Sequence, residues 1–170
     1  MPAPVDFERL YDAHAQALFS FLLNLTRNEA DTRDLLQEVF VKLACRPELM
    51  DGVRQERPFL LWLAHNVAID LIRRRGARER KHEELAQESP VLFTLAAGPD
   101  EQAFRAALTE ALSDLPADQR AVVHLKLWEH LTFDEIATLL DIPLNTAASR
   151  YRYGLDKLRE RLRPLYDEIK

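Results

Sequence analysis

A single cysteine, Cys45, among 170 residues excludes an internal disulfide, and its place on an apolar helix face predicts a buried packing role. Glycine is nearly as scarce. Four scattered residues supply no glycine-rich loop for cradling phosphate. The five histidines, His14, His65, His82, His124 and His130, show neither H-E-x-x-H spacing nor a nearby cysteine pair, so no metal ligand set is expected. His14, on an apolar helix stripe, reads as a packing residue. No apolar run approaches the roughly 20 residues of a membrane helix, and the start, MPAPVD, has neither the basic opening nor the apolar stretch of a signal peptide. Repeats and low-complexity tracts are missing as well. These absences argue against an enzyme and predict a cytoplasmic chain with no cofactor, no catalytic residues, no metal and no membrane insertion.

What is present is helical periodicity, over 47% hydrophobic residues. Residues 6–27 place Phe7, Leu10, Tyr11, Leu18, Phe21, Leu22 and Leu25 on one stripe. Residues 29–45 do the same with Leu35, Leu36, Val39, Phe40 and Leu43, and Arg46-Pro47 ends that helix. A polar loop is expected over 47–56. Pro58 then opens a third helix, 59–75, with Phe59, Leu60, Leu63, Val67, Leu71 and Ile72 inward and an arginine run at its end. Periodicity fades between Gly76 and Pro99, although 91–97 is apolar enough to dock on a surface. Further helices are expected at 100–115 and from Pro116 to about His130.

Residues 131–163, LTFDEIATLLDIPLNTAASRYRYGLDKLRERLR, carry the most information. Thr132 and Glu135 form a capping box before a short helix with Ile136, Leu139 and Leu140 on one face. Asp141-Ile142-Pro143-Leu144 breaks it, and Asn145 is the expected N-cap of a second helix. There Tyr151, Leu155, Leu158, Leu162 and Leu165 step by four and three into one inward stripe. Thr146, Ser149, Arg150, Arg152 and Tyr153 lie on the other faces, and 145–163 hold six bases against two acids. That is the pattern of a helix-turn-helix whose second helix enters the DNA major groove, hydroxyls and amides reaching base edges while arginines neutralise phosphates. The alternative for this segment is an amphipathic surface helix whose charges are only solvated.

The net charge of −5 looks wrong for such a protein until it is divided along the chain. Residues 73–81 hold six bases and one acid, whereas 82–118 hold eight acids and one base. Two basic faces joined by an acidic connector suit a protein that touches DNA at two places, yet binds free DNA weakly.

Three ordered blocks resemble the sigma-70 family of bacterial RNA polymerase initiation factors in its extracytoplasmic-function form. They are DTRDLLQEVF at 31–40; FLLWLAHNVAIDLIRRR at 59–75, with Asn66, Ala68, Asp70, Arg73 and Arg74 on the N-x-A-x-D-x-x-R-R signature; and 115–163, with its LP-x-x-QR opening. The resemblance implies an all-α fold of two small helical domains. These are a three-to-four-helix sigma-2-like domain at 1–76 and a four-helix sigma-4-like domain with the helix-turn-helix at 102–170, joined by a linker at 77–101. It implies three sites. Asp34, Gln37 and Glu38 would bind the clamp coiled coil of core RNA polymerase. Trp62, Asn66, Asp70, Arg73 and Arg74 would capture the opened minus-10 element. Asn145, Thr146, Ser149, Arg150, Arg152 and Tyr153 would read the minus-35 element. The implied partners are core polymerase (clamp coiled coil and flap), promoter DNA and an anti-sigma factor, with the acidic linker threaded through the polymerase channel.

The chain departs from the family at Phe59, where tryptophan is usual, and at Trp62, where a polar or basic residue is common. Trp62 therefore reads equally well as packing or as a base contact. Ala148, Arg152-Tyr153 and Asp141 stand where a base, a His-Arg pair and glycine are typical, so the preferred minus-35 sequence does not carry over. The alternative is a free-standing helix-turn-helix regulator dimerising on a palindrome, which would need neither of the first two blocks. A purely protein-binding adaptor would leave the arginines at 73–75 without a role.

Overall fold

The computed structural model describes residues 4–79 and 99–169. Among them every regular element is helical. In order these are α1 (Phe7–Thr26), α2 (Glu29–Cys45), a 3-10 turn (Pro47–Met50), α3 (Glu56–Glu79), α4 (Pro99–Ser113), α5 (Ala117–Leu127), α6 (Phe133–Leu140) and α7 (Leu144–Ile169). The chain divides into two compact units, 1–87 and 88–170.

Local chemistry sets the helix starts in the first unit. The Asp6 carboxylate accepts from the Arg9 backbone N–H at 3.0 Å, and the Asn28 side chain accepts from that of Asp31 at 2.9 Å, each satisfying a donor that the first helical turn leaves unpaired. α1 ends at Arg27, whose φ of 60° is the left-handed conformation that stops a helix. α1, α2 and α3 then pack against one another around Leu10, Leu18, Phe21, Leu22, Leu43, Leu60 and Leu61, all fully buried.

Several inward assignments change. Tyr11 is 49% exposed, lying against the Phe40 ring at 5.1 Å between centroids, and Phe59, Leu71 and Ile72 are half-buried. Leu61, Ala64 and Ala68 are buried instead, because α3 meets both α1 and α2 and so buries a face wider than one stripe. Cys45 is exposed, contrary to the expected packing role: it is the last residue of α2, where the core stripe that finishes at Leu43 has run out. The expected loop at 47–56 contains the 3-10 turn, and α3 starts at Glu56, which puts Pro58 in its first turn.

α3 runs through Gly76 to Glu79, and α4 begins at Pro99, so both ends of the 77–101 segment are helical. The remainder, including the apolar 91–97 stretch, lies outside the described residues.

In the second unit Leu112, Leu115, Val123, Ala111 and Leu158 form the centre, with Leu108, Trp128, Tyr151 and Leu155 packed on it. α7 comes close to α5 at Gly154, where an added Cβ would stand 2.7 Å from Val123 Cγ2. The capping box forms as read: Thr132 Oγ1 accepts from the Glu135 N–H at 3.1 Å, and Glu135 accepts from the Thr132 N–H at 3.2 Å. Asp141 takes φ 55° to end α6. Aspartate is among the few side chains that tolerate this region. α7 starts at Leu144, and its first turn closes through Ala147 N–H onto the Pro143 carbonyl. Asn145 therefore lies inside that turn rather than capping it.

Candidate nucleic-acid interface

Each sequence-derived site lies on one helix face. On α3, Trp62, Asn66, Asp70, Arg73 and Arg74 are all exposed. Their spacing of four, four and three aligns Trp62, Asn66, Asp70 and Arg73 along a strip on the order of 17 Å long. Leu60, Leu63, Ala64, Val67 and Ala68, on the opposite side, hold the helix to the core. Trp62 is 38% exposed and tilts against the half-buried Phe59 ring at 5.5 Å, so it packs on its neighbour while keeping an open face. Arg74 Nε donates to the Asp70 carbonyl at 3.3 Å. Arg75 turns to the Asp31 carboxylate at the start of α2, its Nη2 donating to Oδ1 at 2.7 Å, and so anchors the arginine end of α3 to the neighbouring helix.

On α2, Asp34 and Gln37 are exposed and Glu38 is half-exposed, paired with Lys42 at 3.5 Å. Val41, 57% exposed, and Cys45 continue that face toward the end of the helix.

On α7 the leading turn exposes Asn145, with Thr146 and Ser149 half-buried beside the fully buried Ala147. Arg152 lies over the ring of Tyr153 at 5.7 Å, and both are exposed. Arg150 is less open, pairing with Asp118 of α5 at 3.6 Å. Arg161, farther along, pairs with Asp114 at 2.8 Å. The helix is seated by Tyr151, edge-on to Phe133 of α6 at 5.4 Å, with Lys126 Nζ over the same Phe133 ring at 4.6 Å.

Sequence reasoning did not single out several of these groups. Glu56 takes a bidentate pair from Arg9 (2.5 and 3.2 Å) and a contact from the half-buried His14 ring at 3.1 Å. The hydrogen bond from Arg9, followed by that from His14, pushes its carboxyl down to about 2. His14 thus packs, but with a charged partner 42 residues away that no local pattern announces. In the second unit burial pushes His124, stacked on Trp128 at 5.3 Å, down to about 4. The close approach at Gly154 did leave a signal, an isolated glycine inside a helical pattern.

Among the described residues no group of three histidine, cysteine or acidic side chains could hold a metal, and no helix is long and apolar enough to cross a membrane.

A capped helix, a left-handed turn and a cationic second helix, in a unit preceded by a three-helix core with an arginine-ended face, define an all-α helix-turn-helix protein. Comparison with known proteins narrows this. Residues 10–78 match the family described as Sigma-70 region 2, and residues 105–158 match Sigma-70, region 4. The ECF RNA polymerase sigma factor SigL of Mycobacterium tuberculosis is 34% identical over 162 residues, 92% of this chain and 88% of that one. SigX of Bacillus subtilis, also an ECF RNA polymerase sigma factor, is 29% identical over 96% of this chain and 87% of its own. In structure, the chain is similar to the sigma factor RpoE of Bartonella quintana, solved in complex with the anti-sigma factor NepR. The TM-score is 0.74 at 22% identity, covering 93% of this chain and 97% of that one. The chain belongs to the ECF group of the sigma-70 family of RNA polymerase sigma factors.

Proposed function

We propose that this chain is a non-catalytic, cytoplasmic subunit of bacterial transcription initiation, which docks on core RNA polymerase and directs it to promoters by contacting two DNA elements. Support comes above all from the matches to both sigma-70 regions, in order, along one chain. The exposed α2 face with Asp34, Gln37 and Glu38 is the proposed polymerase contact, the clamp coiled coil being its target and the flap a further contact for the second unit. The α3 strip of Trp62, Asn66, Asp70, Arg73 and Arg74 is the proposed site for the opened minus-10 strand. There an aromatic face can stack a base while arginines hold phosphates, stacking being worth about 1–3 kcal/mol per base. Asn145, Thr146, Ser149, Arg150, Arg152 and Tyr153 on α7 are the proposed minus-35 readers, with region 1–76 and region 102–170 acting as separate DNA-contacting domains on either side of the linker.

A free-standing dimeric regulator would make no use of the α2 face. An anti-sigma factor is a further proposed partner, supported by the relative solved with one. The decisive experiment is runoff transcription with purified core polymerase, with Gln37 and Glu38 changed together to alanine as the second arm. Wild type should programme specific start sites, and the double variant should bind core polymerase more weakly. Unchanged affinity for the core would remove the α2 docking assignment, and absence of any specific transcript would remove the function.

A further inference from the structure

Two arginines of α7 face acids contributed by the residue just after α4 and the start of α5. Arg150 and Arg161 are eleven residues apart, three turns of helix, which returns them to nearly the same face. They flank the face through which Gly154 and Leu158 are buried, and each ends beside an aspartate: Arg150 at 3.6 Å from Asp118, Arg161 at 2.8 Å from Asp114. The two pairs are alike in chemistry but stand roughly 16 Å apart along the helix. Only the Arg150 pair adjoins the leading end, with Asn145, Thr146 and Ser149.

We infer that Asp118 is a specificity-determining positioning residue, which holds the Arg150 guanidinium for a base edge and withholds it from phosphates. This rests on the proposed role of α7 as the minus-35 reader. A lone arginine at the front of a basic helix is a poor discriminator, because phosphate oxygens lie on every sequence and a flexible guanidinium reaches them anywhere. A carboxylate beside it changes that balance in two ways. Its charge, 3.6 Å away, draws the guanidinium toward α5, and it repels phosphates that approach out of register. The 3.6 Å separation, longer than a hydrogen bond, and the partial exposure of both side chains make the pair loose enough for Arg150 to turn toward a base when the correct one is present.

Asp118 also lies in the first turn of α5, where an acid favours the helix dipole. A purely local role there predicts a lower melting temperature for Asp118→Asn and no change in sequence discrimination. The two roles therefore give different readouts.

The test uses holoenzyme reconstituted with core polymerase, and measures affinity for a mapped promoter and for the same fragment with its minus-35 element scrambled, across a salt series. Asp118→Asn should bind the scrambled fragment several-fold more tightly, lower the promoter-to-scrambled ratio roughly tenfold, and steepen the salt slope by about one ion. Asp118→Glu should keep the wild-type ratio within about twofold, as a carboxylate is retained, and Asp114→Asn, the distant counterpart, should leave the ratio unchanged. An unchanged ratio in Asp118→Asn overturns the inference, as does an equal loss in Asp114→Asn, which would make the effect one of general charge. If scrambling does not weaken wild-type binding, the minus-35 role of α7 falls first and the inference with it. A preserved wild-type preference with an insensitive Asp118→Asn removes the inference alone.

Discussion

Gly154→Ala is a sensitive probe of how α7 is seated. The new methyl carbon would lie 2.7 Å from Val123 Cγ2, with Leu115 Cδ1 at 3.8 Å and Gln119 Cβ at 3.9 Å. Carbon atoms rest at about 3.5–4 Å, so α7 or α5 must give by on the order of 1 Å. Val123 has no easy escape, being fully buried and β-branched in a helix, where one χ1 rotamer dominates. Overpacking of this kind costs about 1–3 kcal/mol, while replacing a mid-helix glycine by alanine returns about 1 kcal/mol. The net expectation is a loss of up to about 2 kcal/mol, or on the order of 15 °C at most in melting temperature for a unit of this size. Val123→Ala alone should also destabilise, by about 2 kcal/mol through the lost apolar contacts. In the double variant the second substitution should cost far less than in wild type, since the methyl it removes is the one that clashes.

The chain has two tryptophans, Trp62 in the first unit and Trp128 in the second, so a Trp62→Phe background makes fluorescence-detected unfolding report the second unit alone. A stability gain of about 1 kcal/mol for Gly154→Ala, the value of helix propensity by itself, would refute the close packing, as would strictly additive losses in the double variant.

Other expectations concern charge. Arg150→Ala should reduce promoter binding by the holoenzyme more than Arg161→Ala does, because Arg150 adjoins the leading turn; equal effects would mean that α7 contacts phosphates alone. The two units should respond differently to acid. His124 is held near 4 in the folded chain against an ordinary 6.5, so the unfolded state takes up the proton first. The second unit should thus be fully stable above pH 6.5 and lose up to about 3 kcal/mol as pH falls toward 4. Glu56, held down at about 2 against an ordinary 4.5, works in the other window: its contribution to the first unit is complete above pH 4.5 and fades as pH drops toward 2. Between pH 6.5 and 4.5 the unfolding midpoint seen by Trp128 should therefore fall while that seen by Trp62 holds. A flat Trp128 midpoint over that range would contradict the burial of His124.

The sequence alone determined the helical class, most helix positions and the turn between α6 and α7, because these depend on interactions within a few residues. The step of the apolar stripe, the Thr132–Glu135 box, and the break at Asp141-Ile142-Pro143 are all local chemistry. It also aligned Trp62, Asn66, Asp70 and Arg73, since helical spacing alone puts them on one side. Tertiary structure decided what local periodicity leaves open. It buried Leu61 and Ala64 by packing α3 against two partners, left Tyr11 exposed although it packs on Phe40, and left Cys45 exposed at the end of its own helix. The ion pairs Arg9–Glu56, Asp31–Arg75 and Asp118–Arg150 join residues 47, 44 and 32 positions apart in the chain. No spacing rule reaches that far. Which acid meets which arginine is fixed by how the helices pack, and that packing tells an arginine that anchors a helix, such as Arg75, from neighbours such as Arg73 that stand on the exposed strip.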